Sequence, residues 1–116
     1  MSSFTKKKLS ESTDGKGIKI GASATPGTLL HTAVGGTSSF DEVWIWAANT
    51  SMSNALLTIE WGEVTDPDGH IEFTVAAQDG LKMIIPGLIL QNSLEVRAFA
   101  ATVDVLVVHG FVNLIS

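Results

Sequence analysis

Cysteine is absent from this chain of 116 residues. That excludes disulfides, thiolate metal sites and cysteine nucleophiles together, and it favours a product folded in cytoplasm over one stapled in an oxidising compartment. Tyrosine is absent too, which removes the residue usual in the aromatic girdles of outer-membrane barrels. Charge is scarce: 16% of residues are Asp, Glu, Lys or Arg, against about 25% in an ordinary soluble domain. So little charge cannot cover a small domain, whose surface is large for its volume, and apolar surface covered by another subunit is expected. The longest uncharged run, 21–40, is filled with Gly, Ser and Thr and holds Pro26, so it is no transmembrane helix. Residues 2–16 have no apolar segment of the kind a secretory signal needs. A membrane partner is therefore not expected.

The charge that is present is unevenly placed. Residues 1–16 carry Lys6, Lys7, Lys8 and Lys16 against Glu11 and Asp14, whereas the rest has only Lys19, Lys82 and Arg97 against most of the acids. With Phe4 and Leu9 as its large apolar groups, the opening stretch is read as a flexible basic arm, 1–16, ahead of a β-domain, 17–116. The net charge of −5 resides in that domain and disfavours nucleic acid as a ligand, because phosphate contacts need clustered Lys and Arg. Three lysines in a row are too few to reverse this. Phe4, Lys6, Lys7, Lys8 and Leu9 are instead the candidate residues for docking on an acidic protein surface, with a solvated tail as the plain alternative.

From Gly17 the pattern has period two. Segments 17–21, 28–32, 42–49, 55–61, 71–75, 81–85, 94–100 and 103–114 read as strands, with turn chemistry at Pro26-Gly27, Asp66-Pro67-Asp68-Gly69, Gln78-Asp79-Gly80 and Pro86-Gly87. Pro86-Gly87 is read as ending its strand, with 88–90 as a short edge piece, and the last strand is expected to bend near Gly110. Segment 42–49 is apolar on both sides: Trp44 and Trp46 share one, Val43, Ile45 and Ala47 the other. It is a central strand, or one whose second face meets another subunit, and segment 55–61 is its expected partner. Eight such strands at spacings of about a dozen residues, without helical periodicity, predict an all-β antiparallel β-sandwich. An eight-stranded jelly roll is the expected form and an immunoglobulin-like sandwich its rival.

Few residues suggest chemistry. His31, His70 and His109 fall on different predicted elements without a short-spaced ligand pair, so a zinc site is not expected. Glu63, Asp66 and Asp68 lie near the hairpin tip, but turn preference explains Asp-Pro-Asp-Gly and the spacing is not that of a calcium loop. There is no GxSxG elbow and no Gly-rich phosphate loop ahead of a helix. Trp44, Trp46 and Trp61 each sit inside an alternating strand beside Ile or Leu, and the reading is core packing rather than a sugar platform. No enzyme, cofactor or metal is expected.

Segments 41–51 (DEVWIWAANTS), 57–62 (LTIEWG) and 97–115 (RAFAATVDVLVVHGFVNLI) resemble, in texture, small β-rich virion proteins of tailed bacteriophages encoded near the major capsid gene. Such proteins include head decoration, or cement, proteins that sit as trimers on the capsid and clamp neighbouring capsomers. The resemblance implies a non-enzymatic homotrimer made in the host cytoplasm, located on the virion surface and bound to the major capsid protein. A head-fibre, tail or baseplate component with receptor or carbohydrate contact is the alternative. The resemblance carries no site residue with it.

Overall fold

Period-two alternation and β-branched or aromatic side chains favour a pleated surface, and the chain follows that preference. The computed structural model describes residues 3–116, and no helix occurs among them. The strands are β1 (Phe4–Lys8), β2 (Ile18–Lys19), β3 (Thr28–Thr32), β4 (Phe40–Asn49), β5 (Ala55–Trp61), β6 (His70–Val75), β7 (Leu81–Leu90), β8 (Glu95–Ala100) and β9 (Leu106–Ile115). They form two antiparallel sheets packed face to face. The first has the order β1-β9-β4-β7, with β2 also paired to β9; the second has the order β3-β8-β5-β6.

Residues of both inner faces fill the space between the sheets. Val43, Ile45 and Ala47 of β4 and Val108 and Val112 of β9 meet Leu57 and Ile59 of β5 and Val96 and Ala98 of β8, all fully buried. Each large aliphatic side chain removed from water in this way contributes roughly 1.5–3 kcal/mol. Asn49 closes the end of β4: its amide donates to the carbonyls of Ser53 and Val75, at 2.9 and 3.0 Å, while its oxygen accepts from Ser51 N–H and Oγ–H.

That corner corrects one expectation. β4 does not pair with β5; it lies between β7 and β9, and 50–54 carries the chain across to the second sheet. The polar stretch resembles a hairpin loop, but the Asn49 hydrogen bonds turn the backbone out of the sheet instead of back along it. The true hairpin is β5–β6, joined at Asp66-Pro67-Asp68-Gly69, where Gly69 N–H donates to Thr65 O at 2.8 Å. The strand count is nine. β7 runs through Pro86-Gly87 rather than ending there, because it is an edge strand on which a missing N–H costs no ladder bond. It absorbs the irregularity by two register shifts against β4 and a φ of +83° at Gly87.

The opening segment is also corrected. Phe4 to Lys8 is an ordered strand, paired with Ile115 to Phe111, and Ser3 and Ser116 exchange two further hydrogen bonds. All five strand residues are exposed. Backbone pairing to β9, and not side-chain burial, holds them, which is why composition alone reads as a tail. Leu9, one of the proposed docking residues, turns inward and is 1% exposed. Glycine at 110 makes its room: a Cβ there would lie 3.3 Å from Leu9 Cδ1 and 2.2 Å from Trp44 O. Ordered structure thus begins well before Gly17, while Met1 and Ser2 of the expected arm lie outside the described residues. β1 and β2 share one side of β9 and meet near Gly110; the pairing of β9 with β4 passes that glycine without a shift.

Truncating Leu9 to Ala is expected to destabilise the fold by about 2–5 kcal/mol, as for other buried leucines, read as a lower urea midpoint. Gly110→Val is expected to be worse and to leave no cooperative transition, because its Cβ meets backbone that cannot step aside.

Candidate binding face

Along β4 burial alternates without a break: Asp41, Val43, Ile45, Ala47 and Asn49 are buried, and Phe40, Glu42, Trp44, Trp46 and Ala48 face outward. The register extends this outward set across the whole sheet. Phe40 stands beside Ile115 and Phe4; Glu42 beside Asn113, Lys6 and Ile89; Trp44 beside Phe111, Lys8 and Pro86. Trp46 follows beside His109 and Met83, then Ala48 beside Val107 and Leu81. An outer sheet face usually turns polar to water. Here each of these rows presents apolar groups.

Its centre is aromatic. Trp44, Trp46 and Phe111 lie nearly parallel, at 14–26° to one another, with centroids 5.8–6.4 Å apart. The six-membered ring of Trp44 lies over Gly87, where a Cβ would come within 2.7–3.2 Å of three ring atoms. Only glycine at that position lets the indole settle across β7. Lys6 places its ammonium 4.6 Å from the Phe111 centroid, a cation–π contact worth about 0.5–1 kcal/mol at an exposed site. Glu42 accepts from Trp44 Nε1–H at 2.8 Å and from Asn113 Nδ2–H at 3.0 Å. These two donors, Asn113 first, hold its carboxyl below the ordinary value.

The outer face of the second sheet has the opposite character. Arg97 bridges Glu95, at 3.0 Å, and the Gly27 carbonyl, at 3.0 Å. Glu60 is 1% exposed because the 25–27 turn folds over it: Gly27 N–H donates to Oε1 at 2.6 Å and Thr25 Oγ1–H donates to Oε2. His70 packs edge-on to Phe99, at 5.7 Å, and donates from Nε2 to Val64 O. One face of the sandwich is aromatic at its centre and bordered by Lys6, Lys8 and Lys19, the other mainly acidic and internally paired.

The structure redistributes the expected site residues. Phe4, Lys6 and Lys8 fall in register on the aromatic face and Lys7 on the other side of β1, and Lys7 and Lys8 both line a pocket of about 360 Å3 with Ser10, His31, Thr32 and Asp41. Trp44 and Trp46 are not core residues, which corrects their reading; Trp61 does pack against the core. The core reading failed because each Trp neighbours an Ile or Ala in sequence that points to the opposite face. Phe111, Met83 and Pro86 were not singled out by sequence. Only the cross-strand register brings them beside the tryptophans.

The histidines are dispersed. His31 lies inside, His70 on the outer face of the second sheet, and His109 on the aromatic face opposite Trp46. Among the described residues no cluster of three potential metal ligands occurs. Ser10, His31 and Asp41 do meet, in an order unsuited to nucleophilic catalysis. His31 Nδ1 accepts from Ser10 N–H at 2.9 Å and its Nε2–H donates to Asp41 Oδ2 at 2.7 Å, so both ring nitrogens are occupied. Ser10 Oγ is committed as acceptor to Thr32 N–H, at 2.8 Å. The arrangement fastens the segment after β1 to β3 and β4.

Comparison with family models, curated proteins and solved structures returned no match.

Because the folded-state carboxyl of Glu42 is lowered from 4.5, its contribution to stability is complete above that value and fades as pH falls through the folded value. Glu42→Gln is therefore expected to lower the melting temperature at pH 7. The deficit should shrink as the pH falls below 4.5 and through the lowered folded value.

Proposed function

We propose that this chain is a non-enzymatic assembly module, of the capsid-decoration kind its resemblance implies. It binds the outer shell of a tailed bacteriophage through the major capsid protein, as a homotrimer made in the host cytoplasm. The observation that carries the reading is the contrast between the outer faces. Aromatic residues clustered at the centre of a sheet face, with lysines along its edge, are the composition of protein interfaces. The order β2-β9-β4-β7 over β3-β8-β5-β6, with most connections crossing between sheets, supports taking β2 to β9 as an eight-stranded jelly roll to which β1 is added. That architecture recurs in capsid and lectin domains. Neither nucleic acid nor a membrane enters the reading: Lys6 and Lys8 are the edge of an aromatic surface, not a phosphate track.

A decoration protein stabilises a shell by binding only its assembled form. Particles lacking this protein are expected to lose integrity at lower temperature and milder osmotic shock than complete ones, and adding the purified chain back should restore them. Equal resistance with and without it defeats the decoration role.

The aromatic face also favours a second reading, a fibre, tail or baseplate component that stacks sugar rings on Trp44, Trp46 and Phe111. Binding on a glycan array, lost in a folded Trp46→Ala protein, would replace the first reading with this one.

A further inference from the structure

We infer that the aromatic face of the first sheet is a self-association surface, covered by a second copy of this chain. This deepens the assembly reading and rests on it, since it names the partner of the same face.

Size is the first argument. β4 and β9 have ten residues each, about 34 Å at about 3.4 Å per residue, and four strands about 4.8 Å apart give roughly 19 Å of width. The flat area is about 650 Å2, and side-chain relief brings it near the ~800 Å2 that each partner contributes to a stable interface.

Arrangement is the second. Trp44, Trp46 and Phe111 occupy the two inner strands, while Lys6, Lys8 and Lys19 line the β1 and β2 edge. Glu42, the anion among these rows, is already hydrogen-bonded by Trp44 and Asn113. An apolar centre with charge at the rim is how protein interfaces are built, with aromatic residues as their energetic anchors. On the opposite edge Leu81, Met83 and Ile89 are 54%, 41% and 58% exposed, so apolar surface continues across β7.

Supply is the third argument. A face this apolar is a liability from the moment the chain folds, and another copy is the partner present at that moment in every cell that makes it. The shell then meets the remaining surface, including the charged outer face of the second sheet.

The test is the mass of the full-length chain by size-exclusion chromatography with light scattering, over a concentration series. Trp46→Glu and Met83→Glu place a carboxylate on the aromatic face; Glu72→Lys, exposed on the second sheet, is the control. Wild type and control are expected at the same multiple of 12.2 kDa, and both aromatic-face variants at 12.2 kDa with unchanged far-ultraviolet circular dichroism. If Trp46→Glu does not fold, Met83→Glu decides, because its side chain is exposed on an edge strand. A 12.2 kDa wild type at every concentration overturns the inference, and so does a Met83→Glu protein that keeps the wild-type mass. The two proposals fail separately. A monomer that still protects shells, and loses this with Met83→Glu, leaves decoration standing and gives the face to the capsid protein. An oligomer that protects no shell removes decoration alone.

Discussion

β4 and β9 are apolar on both sides, and everything else is arranged around that constraint. Their inner rows are closed to water and need a cover, while on the outer side the row of Glu42, Asn113 and Lys6 interrupts the apolar groups. The second sheet supplies one cover by packing Leu57, Ile59, Val96 and Ala98 against Val43, Ile45, Val108 and Val112. The other side keeps Trp44, Trp46 and Phe111 half-buried by their own contacts. The ladder between the two strands runs unbroken over ten residue pairs, from Phe40–Ile115 to Asn49–Leu106. It fixes which residues share a face.

Polar groups inside the molecule follow the same logic of placement. Glu60 is buried with both side-chain oxygens engaged by one turn, so a polar group inside the molecule serves to pin 25–27 across the second sheet. His31 and Asp41 fasten the segment after β1 in a comparable way, although Asp41 Oδ1 is buried without a hydrogen-bond partner among the described residues. Buried polar groups with fixed partners of this kind specify a chain path.

The period of the sequence carries most of the secondary structure, since alternation and turn residues are local properties. The β5–β6 hairpin is legible for that reason: Asp-Pro-Asp-Gly marks a chain reversal. Pairing between distant strands is not local. β4 and β5 are separated by a short polar stretch that looks like a hairpin loop, and the hydrogen bonds of Asn49 that make it a corner depend on Val75, which sequence does not place nearby. The site suffers in the same way. Trp44 and Trp46 are visibly on one face in the sequence, yet whether that face is inner or outer depends on the opposite sheet, and Phe111 joins them only through register. β1 is invisible to a search for buried side chains because its attachment is backbone pairing plus one leucine.

β9 lies later in the chain than each strand it touches: β1, β2 and β4 all wait for it. On the ribosome the second sheet can assemble once β8 has emerged, whereas the first remains incomplete until 106–115 follows. The three rings of the platform therefore come together last, as Phe111 swings in beside two tryptophans made much earlier. Partial chains expose Trp44 and Trp46 but lack the flat surface they will share with β9. The flat aromatic surface is thus a property of the finished chain alone, laid down with its last strand.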